Sequence, residues 1–314
     1  MSEPRLDVAG GLIQHEVALA PLTTYRFGGS ARHYAEVHDE GELRSVVAAR
    51  IERRLPAVFI LGRGSNVVVS DDGYDGLVVR LSGEFLEVDV ATDGAVTAGG
   101  GVSLAKLARQ SVAAGRGGLE WYIGIPGSVG GAVKMNAGGH GGGDTAKWLV
   151  SADIFDMAAG AIDTRSAAEL GLGYRVSDVR DTDVVVRATF RTSDSSPDEG
   201  RSRMREITRW RRDNQPGGSL NAGSVFKNPQ TGPTAGEIID GLGLKGYQRG
   251  SAFVSRRHAN FFEAEKGATA QDVFDLVRAV QHRVVAANGI LLEPEIKFLG
   301  AFHSLESESE AGLA

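Results

Sequence analysis

Hydrophobic positions along the chain change period several times, and each change predicts an element. From residue 39 to 54, Leu43, Val46, Val47 and Ile51 recur at helical spacing. The apolar run Val58-Phe59-Ile60-Leu61 predicts a short buried strand that stops at Gly62-Arg63-Gly64-Ser65-Asn66. Val67-Val68-Val69 predicts another strand, and Ser70-Asp71-Asp72-Gly73 a turn. From about 81 to 200 the pattern is mostly that of strands, with one helix: Ser103 caps it, Leu104, Leu107 and Ala108 form its stripe, and Gly115 ends it. Beyond 201 helices dominate. A basic helix over 201–212 stops near Gln215-Pro216-Gly217-Gly218. Thr234 and Glu237 have the spacing of a capping box ahead of Ile238, Ile239 and Leu242. Thr269 opens a helix with Val273, Leu276, Val277, Val280 and Val284 inward, closed by Gly289. Ile296, Phe298 and Leu299 predict a last strand, after which Glu306, Glu308 and Glu310 mark an acidic tail expected to be disordered.

A chain of 314 residues with this pattern has room for two domains, or three small ones, of α+β character. Composition narrows the chemistry. There is no Cys, which excludes disulfides, thiolate metal sites and a cysteinyl tether to a cofactor, and no metal site is expected. A net charge of −6 argues against nucleic acid as a partner of the whole molecule. The basic helix at 201–212 is accordingly expected to be a solvated face, having no aromatic interleaving beyond Trp210. The start lacks a basic-then-apolar run, and no apolar stretch approaches the roughly 20 residues of a membrane span, so a cytoplasmic protein is expected.

Glycine is the unusual number, 43 against 9 Pro, and it clusters in loops. In Gly62-Arg63-Gly64-Ser65-Asn66, between two strands, successive N–H groups can form a concave anion site; a plain tight turn is the alternative. The loop is not a dinucleotide fingerprint, because Val67 stands at the third glycine position and a strand follows it. Gly124-Ile125-Pro126-Gly127-Ser128-Val129-Gly130-Gly131-Ala132 offers a second cradle, and two such loops suit one extended diphosphate cofactor, a flavin dinucleotide, held from both ends. A third glycine-rich stretch, 138–143, surrounds His140. Asn221-Ala222-Gly223-Ser224-Val225-Phe226-Lys227-Asn228-Pro229 sets a serine hydroxyl, an ammonium and an amide in one glycine-flanked turn.

These loops belong to a longer series in a recognisable order: Thr23-Thr24-Tyr25-Arg26-Phe27-Gly28-Gly29, Gly118-Leu119-Glu120, Met135-Asn136-Ala137-Gly138, Gly173-Tyr174-Arg175, Gly243-Leu244-Lys245-Gly246, His258-Ala259-Asn260-Phe261 and Leu292-Glu293-Pro294-Glu295-Ile296-Lys297. Over about residues 20–300 the chain resembles the UDP-N-acetylenolpyruvoylglucosamine reductases. It departs from their pattern at His140, where a Tyr is expected, at Gly143, where an acidic residue is common, and at Ser251, which replaces a Gly.

The resemblance implies an α+β fold: an FAD-binding fold of the PCMH/vanillyl-alcohol-oxidase type with two α+β subdomains, and a separate α+β substrate domain. It sets FAD-binding subdomain 1 at 17–80, completed by 292–303, subdomain 2 at 81–200, the substrate domain at 201–291 and the tail at 304–314. It implies non-covalent FAD and NADPH as co-substrate. The reaction is reduction of an enolpyruvyl ether of a UDP-sugar in peptidoglycan precursor synthesis, with no membrane insertion and no obligate protein partner. FAD contacts are expected from Gly62, Arg63, Gly64, Ser65, Asn66, Ile125, Pro126, Gly127, Ser128, Gly130, Gly131 and Ala132.

An enolpyruvyl ether takes hydride at C3, so that charge from C2 spreads into its carboxylate before C2 is protonated. Arg175 matches the family's catalytic arginine and would grip that carboxylate through paired hydrogen bonds, where a surface ion pair is the plain alternative. Ser224 matches the proton donor to C2. Glu295 matches the catalytic glutamate, which must carry or share a proton beside an enediolate; strand alternation sends Glu293 to the same face, and only the motif separates the two. Tyr174, Asn228, Lys245 and His258 match substrate-binding positions, with a structural histidine the alternative for His258. Two other functions share parts of this pattern: a flavin oxidase of sugars or alcohols, and a non-catalytic nucleotide-binding regulator.

Overall fold

The computed structural model describes residues 11–55 and 57–303, so the acidic tail at 304–314 lies outside the described residues. The chain divides into two compact units, one of residues up to 17, 31–65 and 75–214, the other of 18–30, 66–74 and 215 onward.

In the first unit, Asp39 accepts the Glu42 N–H at 2.8 Å and opens helix α1, Glu40–Arg53. Leu43, Val46, Val47 and Ala49 are its buried positions. Ile51, expected inward, is 63% exposed. At 100° per residue it lies on the edge of the apolar stripe, about 90° from its centre. The buried face of α1 shares a core with a four-stranded sheet ordered Ile13–Ala18, Ser30–Val37, Tyr74–Leu81, Val58–Ile60. Val58 pairs in parallel with Leu77, so the 58–60 strand runs with 74–81 and delivers the chain into the Gly62 loop.

A five-stranded antiparallel sheet follows, ordered Ala161–Ser166, Leu149–Asp156, Asp183–Phe190, Val96–Gly99, Val88–Val90. Its core takes Leu104, Leu107 and Ala108 from α2, Leu104–Ala113, which Ser103 caps by accepting the Lys106 N–H at 3.2 Å. The second glycine loop holds a helix absent from the periodicity, α3, Val129–Lys134, capped by Ser128. Three glycine-or-alanine positions in a six-residue helix give no apolar stripe to detect. The basic helix α4, Pro197–Asn214, buries Gly200 and Ile207 and leaves Arg201, Arg205, Arg209 and Arg212 exposed, as a solvated face requires.

In the second unit, α5, Ala235–Gly241, has the full Thr234–Glu237 capping box, and α6, Ala270–Asn288, opens at Thr269 and closes at Gly289 with φ +68°. Their inward faces pack with the antiparallel strands Ala252–Val254 and Phe262–Ala264. Val67–Val69 pairs in parallel with Lys297–Leu299. Through that pairing 66–74 lies in one unit with 215 onward, and α4 lies in the other.

Candidate active site

In the first unit, the strand–loop geometry turns the Gly62 stretch into a cradle. Gly64 adopts φ +60°, and among the described residues the amides of Gly62, Arg63 and Ser65 donate no hydrogen bond. Ser65 Oγ donates to the Pro126 carbonyl at 2.9 Å, which ties this loop to the second one. The approach is close enough that a Cβ on Gly62 would stand 2.5 Å from Ser128 Oγ, so a side chain there would displace the hydroxyl that accepts the Gly131 N–H. Gly62, Arg63, Ser128, Gly130 and Gly131 line one cavity of about 240 Å³. That is below the roughly 300–1,000 Å³ typical of sites that enclose a drug-sized ligand, so it suits one part of a dinucleotide. The second loop is less of an N–H cradle than its glycines suggest: Val129 N–H donates to Val102, Gly130 N–H to Gly100 and Gly131 N–H to Ser128 Oγ.

Arg175 sits at the tip of a tight turn closed by hydrogen bonds between Gly173 and Val176, with φ +57°, a conformation that costs a non-glycine residue on the order of 1 kcal/mol. Its guanidinium donates to the Gly138 carbonyl at 3.3 Å and lies 5.1 Å from the Tyr174 ring centre. Tyr174 itself is 52% exposed.

The second unit holds the other candidates. Asn221 Oδ1 accepts the Gly223 N–H at 3.0 Å, and Gly223 takes φ +79°. This turn delivers Ser224, half-buried, opposite Phe261. Val225 N–H donates to Asn260 at 2.8 Å, and Glu295 N–H donates to Val225 at 2.7 Å. Ser224 and Glu295 are therefore on neighbouring extended segments. Asn66 Nδ2 holds the Glu295 carbonyl at 3.0 Å from the other side. The alternative carboxylate, Glu293, is 68% exposed and paired with Lys227 Nζ at 2.6 Å; Glu295 is half-buried. The structure thus distinguishes two residues that alternation left equivalent.

Asn228 accepts the Ala235 N–H at 3.1 Å and so braces the start of α5. Lys245 pairs with Asp240 at 2.6 Å. Burial holds His258 below its ordinary pKa, the nearby Lys245 adds to the shift, a backbone hydrogen bond opposes it, and the Asn260 N–H approaches Nδ1 at 3.3 Å. Sequence reasoning gave no role to Asn260 or Asn136. Both lie inside the motif strings, and their signal is an amide among apolar neighbours.

Residues 215–299 match the family model described as UDP-N-acetylenolpyruvoylglucosamine reductase, C-terminal domain, and residues 31–164 match an FAD binding domain. The chain is 42% identical to UDP-N-acetylenolpyruvoylglucosamine reductase 2 of Symbiobacterium thermophilum over 92% of this chain and 93% of that one. It is 41% identical to the corresponding reductase of Synechocystis over 96% of both chains. The crystal structure of the reductase from Thermus caldophilus superposes with a TM-score of 0.79 at 36% identity, covering 91% of this chain and 98% of that one. The chain belongs to the UDP-N-acetylenolpyruvoylglucosamine reductase family.

Proposed function

We propose that the protein uses NADPH, through non-covalently bound FAD, to reduce the enolpyruvyl ether of UDP-N-acetylglucosamine to UDP-N-acetylmuramate, a step of peptidoglycan precursor synthesis. The observation that carries the reading is the pairing of Ser224 and Glu295 on adjacent segments in a chain of this family. The glycine cradle at 62–65, with its undonated amides, fits a phosphate of the cofactor. Gly127 and Ser128 complete that contact in the second loop, beside Ile125, Pro126 and Ala132. FAD held by these residues would supply the hydride chemistry that reduction at C3 requires, with NADPH as the reductant.

The protein's own groups handle the charge and the proton. Arg175 grips the substrate carboxylate, and its hold tightens as negative charge moves there from C2. Ser224 gives its proton to C2, and Glu295, sharing a proton in that state, lowers the repulsion that a bare carboxylate would cause. Lys245, part-neutralised by Asp240 at rest, turns to the diphosphate of the sugar nucleotide. His258 hydrogen-bonds the substrate, while Asn228 and Tyr174 line its path. The reading includes a cytoplasmic site of action and no nucleic-acid or obligate protein partner; among the described residues no helix is long and apolar enough to cross a membrane.

The test is anaerobic. NADPH should bleach the yellow flavin, and the enolpyruvyl sugar nucleotide should restore its colour within the turnover time. Restoration by oxygen alone, with no response to that substrate, would overturn the assignment in favour of an oxidase.

A further inference from the structure

Arg175 is held at both ends by one hairpin, and a single buried side chain makes that connection. Its backbone belongs to the Gly173–Val176 turn, while its guanidinium donates to Gly138, in the strand Gly138–Gly139 that pairs with Gly143–Asp144. Asn136, 1% exposed, lies between the two. Its Nδ2 donates to the Gly173 carbonyl at 2.8 Å and to Asp144 Oδ2 at 3.2 Å, and its Oδ1 accepts the Ala146 N–H at 2.9 Å. The base of the Arg175 turn and the hairpin that receives the guanidinium are thereby fixed to the same amide. Asn136 itself takes φ +40°, a conformation that asparagine tolerates better than other side-chain-bearing residues.

We infer that Asn136 is a positioning residue for Arg175: it sets the height of the 173–176 turn over the hairpin, and so the place where the guanidinium meets the substrate carboxylate. This rests on the proposed role of Arg175. Only an amide can do the task. Donation to Gly173 needs an N–H, acceptance from Ala146 needs an oxygen, and the site is too buried for water to replace either. An aspartate of the same shape keeps the Ala146 bond, loses both donations and adds a charge facing Asp144. A glycine accepts the backbone conformation and loses all three bonds.

The experiment measures the two flavin half-reactions by stopped flow in holoenzyme. The variants are Asn136→Asp, Asn136→Gly, Arg175→Ala, and each Asn136 variant combined with Arg175→Ala. Misplacing a binding group by about 1 Å can slow a reaction on the order of 10²-fold. The expected result is a loss of that order in reoxidation by the enolpyruvyl substrate for both Asn136 variants, with reduction by NADPH unchanged. In the Arg175→Ala background the same changes should add little further loss. If they slow reoxidation by the same factor with and without the arginine, Asn136 acts on the fold generally and the inference fails. If Asn136→Asp does not fold, Asn136→Gly decides, with flavin occupancy confirming its cradle. If Arg175→Ala leaves reoxidation at the parent rate, the proposed role of Arg175 fails, and the positioning role with it, whatever the Asn136 variants do.

Discussion

Replacing Asn260 with alanine should loosen the segment that carries Ser224, and the structure gives the size of the effect. Asn260 is 4% exposed. Its Nδ2 donates to the Phe226 carbonyl at 2.8 Å and its Oδ1 accepts the Phe226 N–H at 2.9 Å, so one side chain satisfies both polar groups of a buried peptide. Its own carbonyl accepts the Val225 N–H, a bond that the substitution leaves in place. Alanine strands one buried donor and one buried acceptor. Each costs about 1–3 kcal/mol, for a sum of roughly 2–6 kcal/mol. In a unit of about 120 residues that corresponds to a fall in Tm of roughly 8–23 °C. Two measurements check it: thermal unfolding followed by far-UV circular dichroism, and hydrogen exchange of a peptide spanning 222–228, whose protection should drop. Asn260→Asp retains the acceptor for Phe226 N–H but turns a carboxylate oxygen to the Phe226 carbonyl, so it should destabilise as well. A Tm within 2 °C of the parent, with unchanged exchange at 222–228, would refute the reasoning, because it would mean that the Phe226 peptide finds other partners at no cost.

Ser224→Ala should leave reduction by NADPH intact and slow reoxidation by about 10²–10⁴-fold, the usual worth of general acid help; stopped-flow flavin absorbance separates the steps, and the reverse pattern would make Ser224 a cofactor-site residue. Glu295→Gln should impair the same half-reaction, whereas Glu293→Gln, which removes only an exposed pairing with Lys227, should keep kcat within about twofold, as surface ion pairs are worth little. Gly62→Val places a branched side chain where a single Cβ already meets Ser128 Oγ at 2.5 Å, so the purified protein should be colourless at normal helix content; full flavin occupancy would remove this loop from the cofactor site.

Local signals in the sequence were strong wherever an element is fixed by neighbours in the chain. Ser103, Thr234 and Thr269 each cap the helix expected of them, and Gly289 ends α6 in the left-handed conformation that its identity suggests. The two glycine loops lie where expected and line one cavity. What remained hidden depends on partners far away in sequence. The amides of Val129 and Gly130 are consumed by Val102 and Gly100, which no pattern within the loop could reveal. Glu293 and Glu295 are alike in spacing and differ only because Lys227 approaches one and Asn66 and Val225 approach the other. In the same way a strand at 67–69 finds its parallel partner at 297–299, some 230 residues away.

That parallel pair also dictates an order of events during synthesis. The second unit draws on three stretches of chain, and its Val67–Val69 strand leaves the ribosome some 230 residues before Lys297–Leu299 can reach it. For all that interval three valines wait without the strand they pair with, and long-range pairings of this kind are slow to form and prone to capture by other strands. The first unit, complete by Asn214, can fold meanwhile. A chain ending short of residue 297 would therefore carry a complete first unit and a second unit still lacking a strand, which makes the last pairing the step that completes the second unit.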